Sequence, residues 1–149
     1  VTWKDAEWLA KEWGGPFAIK GIQSVGDAKK AVKMGATAII VSNHGGRQLD
    51  SSSPAIHRIA PIRQAVGNDI EIIMDSGIRR GSHMIKALAL GADAVSFSRP
   101  YSYGLAVGGE AGVTRIVDLL RAEVERGMGL MGVTSVKQLT SKHIEKVSQ

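Results

Sequence analysis

The run Ser42-Asn43-His44-Gly45-Gly46-Arg47-Gln48-Leu49-Asp50 puts an imidazole, two glycines and a guanidinium on one short stretch of chain. An imidazole exchanges a proton near neutral pH, so His44 suits the role of a base. The planar fork of Arg47 matches a carboxylate. Gly45 and Gly46 let the backbone adopt unusual dihedrals and come close to a ligand. A base and an anion clamp this near each other fit chemistry on a small carboxylic acid. The same residues also describe a plain glycine turn, with a surface arginine and a histidine capping a strand. Position in the fold decides between the two.

Three further clusters carry charge or hydrogen-bonding groups. Asp75-Ser76-Gly77-Ile78-Arg79-Arg80-Gly81 follows an apolar run and opens a helical pattern. Amides at a helix start, a glycine for close approach and an arginine together make a phosphate cradle. Asp-Ser-Gly is also a common turn and cap. Ser98-Arg99-Pro100 ends the next apolar run, and neighbouring strand ends can converge on one phosphate. Lys20 closes an otherwise apolar run. There it either reaches out to solvent or sets a cation beside a cofactor that becomes anionic on reduction. His57, His83 and His143 have no partner at metal-ligand spacing and read as surface or capping residues, so no metal site is expected. Met128 and Met131 read as core filler. Trp3, Trp8 and Trp13 recur every five residues, which is not one helical face.

The elements that position these clusters follow from the hydrophobic pattern. Phe17–Lys20, Thr37–Val41, Ile70–Met74 and Ala94–Ser98 are short, continuously apolar runs, as expected for strands buried on both faces of a parallel sheet. Helical patterns lie between them at Val25–Met34, Ile56–Val66 and Met84–Leu90. Met34-Gly35-Ala36 and Leu90-Gly91-Ala92 repeat one device, a glycine that ends a helix in the left-handed conformation. Amphipathic helices flank the repeat at Lys4–Trp13 and Gly112–Leu130, and Ser135–Val147 reads as a polar helical tail. The result is a βα repeat with right-handed crossovers. Four strands make half of an eight-stranded barrel, or an open sheet whose outer edges would need protection; all four clusters fall at the strands' C-terminal ends, where barrels keep their catalytic groups.

Composition narrows the remaining classes. The 149 residues are 44% hydrophobic, enough to bury a core. No apolar run reaches the roughly 18 residues of a membrane helix. There is no cysteine, which removes disulfides and thiolate metal sites. The net charge of +5 is scattered and aromatic residues are only 5%, so a nucleic-acid stacking surface has little material and no nucleic-acid partner is expected. A first residue of Val1 and no linker lead to one expected unit, a piece of a nicked enzyme or one of two separate chains.

Taken together, the motifs resemble the FMN-dependent 2-hydroxy acid dehydrogenase and oxidase family, which includes glycolate oxidase, L-lactate dehydrogenase, lactate oxidase and mandelate dehydrogenase. The resemblance runs from Thr2-Trp3 to about Gly132-Val133-Thr134, and Ser42–Asp50 is its most specific part. It implies an α/β fold, strands five to eight of a (β/α)8 TIM barrel, with residues 1–149 as the C-terminal half-barrel and a helical tail from about residue 110. It implies oxidation of an (S)-2-hydroxy acid to the 2-oxo acid with FMN as first electron acceptor. His44 matches the base and Arg47 the substrate's carboxylate clamp. Lys20 matches the lysine near the flavin's pyrimidine end, and Ser42 a contact to the flavin ring. Asp75, Ser76, Gly77, Ile78 and Arg79 match the segment that binds the ribityl chain and phosphate, with Ser98 and Arg99 completing the phosphate contact.

Two departures stand out. Ser98 occupies a position where the family usually has glycine. The family's first four strands, with further active-site tyrosines, a second arginine and the aspartate that orients the histidine, have no counterpart here. The expected partners are therefore a small 2-hydroxy acid and the N-terminal half of the same barrel, in a homo-oligomer of tetramer size or larger. The expected location is the cytoplasm, or a membrane reached through a segment outside this chain. The alternatives are another FMN-barrel enzyme, similar to type-two isopentenyl diphosphate isomerase, and a non-catalytic half-barrel that holds a phosphate or a partner chain.

Overall fold

A computed structural model describes residues 1–147. Its first helix, α1 (Trp3–Trp13), starts where Thr2 and Asp5 cap each other reciprocally and ends at Gly14 in the left-handed conformation. Four strands follow, β1 (Ala18–Ile22), β2 (Ala38–Val41), β3 (Glu71–Met74) and β4 (Ala94–Val95). They alternate with α2 (Val25–Lys33), α3 (Ile56–Val66) and α4 (Gly81–Ala89), and α5 (Arg99–Leu130) closes the repeat. The sheet is parallel throughout in the order β1-β2-β3-β4, so the expected βα repeat is present.

Both glycine stops operate as expected. Gly35 and Gly91 have φ of +84° and +105°. In each case the next residue's amide reaches back to the helix, Ala36 to Ala31 and Ala92 to Ala87. The core lies between the sheet and α2–α4, where Ile39, Ile59, Ile62 and Ile72 are essentially sealed from solvent. Each contributes roughly 1.5–3 kcal/mol by burial.

Several expectations need correction. One face of the sheet is covered by the helices, and the other is only partly covered, with Ala38 buried and Ile40 and Ile73 half-buried. Ile39, Val41, Ile72 and Met74 point under the helices, while Ala18, Lys20, Glu71 and Ala94 on the opposite face are exposed. Strand β1 runs two residues past Lys20, with a bulge at Gly21 that shifts its register against β2. Strand β4 is only two residues long, because after Ser96 donates to Met74 O the chain turns away into the rim. Helix α4 starts at Gly81, three residues early, and α5 begins at Arg99 rather than Gly112. α5 is two arms folded back at Gly108 and Gly109, whose dihedrals are non-helical, and a Cβ on Gly112 would overlap Gly104 O. Only glycine at both places allows that crossing. The polar tail forms two 3-10 turns, Val136–Gln138 and Ser141–His143, instead of an α-helix. Trp3 packs on the core and faces Lys30, whereas Trp8 and Trp13 are exposed.

The N-terminal ends of β3 and β4 are braced by one arginine. Arg63 donates to Gly91 O at 2.8 Å and pairs with Asp93, which also accepts the Ile72 amide at 2.7 Å. A Cβ on Gly91 would meet Arg63 Cγ at 2.8 Å, in addition to the strain of its positive φ. Gly91→Ala is therefore expected to cost about 1–3 kcal/mol, read as a lower urea midpoint with an unchanged slope. An unchanged midpoint would show that this stop tolerates a side chain.

Candidate active site

The parallel register brings the C-terminal ends of β1, β2 and β3 side by side, and Ser42 knits them together. Its hydroxyl is buried and donates to Asp75 Oδ2 at 2.5 Å. It accepts from Lys20 Nζ at 3.1 Å and from the His44 amide at 3.0 Å. Ser76 Oγ, at 3.3 Å, is a further partner of the same hydroxyl. Lys20 Nζ also lies 2.7 Å from Asp75 Oδ2, an ion pair across the barrel-facing side of the sheet. Lys20 is thus neither free in solvent nor isolated. Burial raises the cost of ionising Asp75, but hydrogen bonds from Lys20 and Ser42 and the Lys20 charge outweigh it, so the carboxyl sits below its usual range.

Beyond Ser42 the chain makes a 3-10 turn, His44–Gly46, whose three residues have φ of +54°, +71° and +73°. Non-glycine residues rarely hold such a value, and His44 does so because the turn is pinned at several points. The Gly45 amide donates to Asn43 Oδ1 at 3.0 Å and to Ser76 Oγ at 3.1 Å. His44 is exposed, and its ring turns back toward the β1 bulge. A Cβ on Gly21 would come within 3.0 Å of His44 Nε2, so the missing side chain there makes room for the imidazole.

The Asp75–Arg80 loop also departs from ordinary backbone, with Ser76 and Gly77 at φ of +84° and +83°. Ile78 is buried, so only its backbone can face the rim. The amides of Gly77 and Ile78 have no protein acceptor among the described residues. Arg79 donates its amide to His83 Nδ1 at 3.2 Å. At the α4 N-terminus the first amide, Gly81, donates to Glu123 Oε2 at 2.7 Å. The Asp75–Arg80 loop and the start of α5 line the rim.

These parts surround one cleft of about 530 Å³. Lys20, His44, Arg47, Asp75, Ser76, Gly77, Ile78, Arg79, Ser98 and Arg99 all line it. Of the residues expected at the site, only Ser42 is not on the cleft surface; it lies beneath, holding Lys20 and Asp75. Asp75 is the one acidic residue on the cleft wall and is paired, so Arg47, Arg79 and Arg99 leave the cleft strongly cationic. Sequence reading missed Gln48, Ser96, Phe97 and Tyr101 on the wall. It also missed Gly21, His83 and Glu123 as supports. Gly21 carries a signal in its neighbourhood to Lys20, but Glu123 has none, since its contact spans 42 residues. His57 is exposed, and His83 and His143 accept backbone amides as caps, in line with expectation. Among the described residues there is no cluster suited to a metal and no helix long and apolar enough to cross a membrane.

A parallel βα repeat that gathers one cationic cleft at the C-terminal ends of its strands is half of a cofactor-binding (β/α)8 barrel. The chain belongs to the FMN-dependent dehydrogenase family, whose sequence profile matches residues 1–146. It is 46% identical to pre-mycofactocin synthase of Mycobacterium tuberculosis over 143 residues, covering 96% of this chain and 36% of that protein. It is 44% identical to L-lactate dehydrogenase of Pectobacterium atrosepticum over 149 residues, covering 100% of this chain and 39% of the relative. A crystal structure of mandelate oxidase with benzoyl-formic acid superposes with a TM-score of 0.88 at 45% identity, over 91% of this chain and 41% of that one. The chain thus spans about two-fifths of the length of these relatives.

FMN is the cofactor of the family, and the donor set fits it. The cleft offers a lysine ammonium, the guanidinium groups of Arg79 and Arg99, and amides at Gly77 and Ile78 that have no protein acceptor among the described residues. That suits a ligand with a phosphate at one end and a ring that gains negative charge at the other.

The Lys20–Asp75 pair gives a pH signature. Because the folded-state carboxyl is depressed, its contribution to stability is complete above about pH 4, the range of an unfolded aspartate, and is lost as pH falls through the lower folded value. Asp75→Asn is expected to be less stable at pH 7 yet to lose less on acidification below about pH 4. Parallel denaturation midpoints for both proteins across that interval would exclude the linkage.

Proposed function

We propose that this chain is the C-terminal half-barrel, residues 1–149, of an enzyme that oxidises an (S)-2-hydroxy acid to the 2-oxo acid with FMN. The observation that carries this reading is the convergence of His44, Arg47, Lys20 and the two arginine-bearing strand ends on one cleft. A substrate carboxylate meets the Arg47 guanidinium, which fixes the hydroxyl-bearing carbon near the His44 imidazole. His44 accepts a proton from substrate, whether from oxygen or from carbon. FMN, when bound, supplies the two-electron acceptor. Lys20 lies at the ring end and offsets the negative charge that reduction brings, with Ser42 and Asp75 fixing its ammonium. The Asp75–Arg79 segment holds the ribityl chain and phosphate, and Ser98 and Arg99 complete the phosphate contact. Ser98 in place of glycine keeps its backbone amide, so phosphate binding does not require the smaller residue.

The partly exposed inner face of the sheet supports pairing with the N-terminal half of the barrel, which brings the remaining active-site groups. We further place the assembled enzyme in a homo-oligomer of tetramer size or larger. Its location follows as cytoplasmic, or at a membrane through a segment outside these residues. Which 2-hydroxy acid is used depends on side chains the other half provides.

The deciding experiment is a visible spectrum of the intact enzyme before and after a panel of lactate, glycolate and mandelate. Bleaching of a yellow preparation is expected; a colourless protein, or a yellow one that no 2-hydroxy acid reduces, would refute the reading. In the same enzyme His44→Ala should slow flavin reduction roughly 100- to 10,000-fold while FMN stays bound. Arg47→Ala should weaken substrate binding roughly tenfold or more, and an unchanged dissociation constant would remove the clamp.

A further inference from the structure

Arg79 and Arg80 are neighbours in sequence but have different surroundings. Arg79 lines the cleft, whereas Arg80 turns away to α5, its Nε and Nη2 each 2.7 Å from Glu123 Oε1. The other carboxylate oxygen of Glu123 takes the Gly81 amide at 2.7 Å. One side chain therefore caps α4 and holds the last residue of the Asp75–Arg80 loop. The approach of the two helices leaves no slack. A Cβ on Gly81 would lie 2.5 Å from Glu123 Cβ and 2.6 Å from Val124 N. The hydrogen bond from Arg80, then that from the Gly81 amide, keeps the Glu123 carboxyl below its usual range and charged.

The loop needs such an anchor. Ser76 and Gly77 hold consecutive positive φ values, a shape that a chain free at one end relaxes out of. Ser42 and Lys20 fix the loop's beginning at Asp75. Its far end is held by the buried Ile78, by His83 Nδ1 against the Arg79 amide and Gly77 O, both at 3.2 Å, and by Glu123, which supplies a charged partner at Arg80.

We propose that Glu123 is a positioning residue for phosphate recognition. It fixes the Asp75–Arg80 loop so that the Gly77 and Ile78 amides and the Arg79 side chain meet the cofactor's phosphate, and it withdraws Arg80 from anion binding. This inference rests on the FMN reading above.

Riboflavin and FMN differ only in the phosphate, so their relative affinity isolates the effect. In the intact enzyme the unaltered protein should bind FMN much more tightly than riboflavin. Glu123→Ala should lower FMN affinity about tenfold or more while riboflavin affinity stays the same. Glu123→Gln, which keeps an acceptor for the Gly81 amide but loses the charge, should fall between. If Glu123→Ala does not fold, the Gln variant carries the test, and an unchanged FMN-to-riboflavin ratio overturns the proposal. Equal loss of both ligands would mean a purely structural role and also overturns it. Tighter FMN binding in either variant would mean that the released Arg80 joins the phosphate, again against the proposal. If the unaltered enzyme itself does not prefer FMN to riboflavin, the FMN reading fails and this inference with it.

Discussion

The site depends on a single buried hydroxyl. Ser42 sits where β2 ends, below the cleft, and its hydrogen bonds tie the ends of β1, β2 and β3 into one unit. Alanine there would leave the Lys20–Asp75 pair without its third member and the His44 amide without an acceptor. Buried polar groups left in that state are costly, so the hydroxyl is as much a part of the architecture as the isoleucines beneath it. The unusual backbone of His44–Gly46 starts from this fixed point. So does the Asp75–Arg80 loop, through the carboxylate that Ser42 holds.

How much of this was legible in the sequence varies with the distance over which residues interact. The βα alternation, the glycine stops and the position of the charged clusters at strand ends are local patterns, and they were readable. The rim residues His44, Arg47, Asp75 and Arg99 were readable for the same reason, since each lies just after an apolar run. The length of α5 was not, because the Gly108–Gly109 bend hides a helix that starts at Arg99 behind a run of small residues. The uneven burial of the strands' two faces was obscured by their apolar inner residues, Ile40 and Ile73, which read the same whether covered or not. Glu123 was invisible because its partners come from a different part of the chain. The Lys20–Asp75 pair, 55 residues apart, needed the parallel register to be known first.

The two ends of the sheet have different duties. At the N-terminal ends Arg63 and Asp93 satisfy backbone groups from several connections, and the contacts there are closely packed. At the C-terminal ends polar side chains support loops held in rare conformations. Strain at the rim is tolerable because the other end over-determines where the strands lie. Glu123 adds α5 to the rim, since that helix packs along α4 and reaches the Asp75–Arg80 loop through one carboxylate.

The bulge at Gly21 and the brevity of β4 also govern how the chain behaves toward strands other than its own. An open parallel sheet has two free edges, and unpaired backbone along an edge is a template for unwanted association. Here β4 exposes too little regular backbone to hold a stray strand, and β1 is interrupted by its bulge next to the inward-facing charge of Lys20. The same features that shape the cleft therefore leave little regular backbone along either margin of these four strands on which a stray strand could pair.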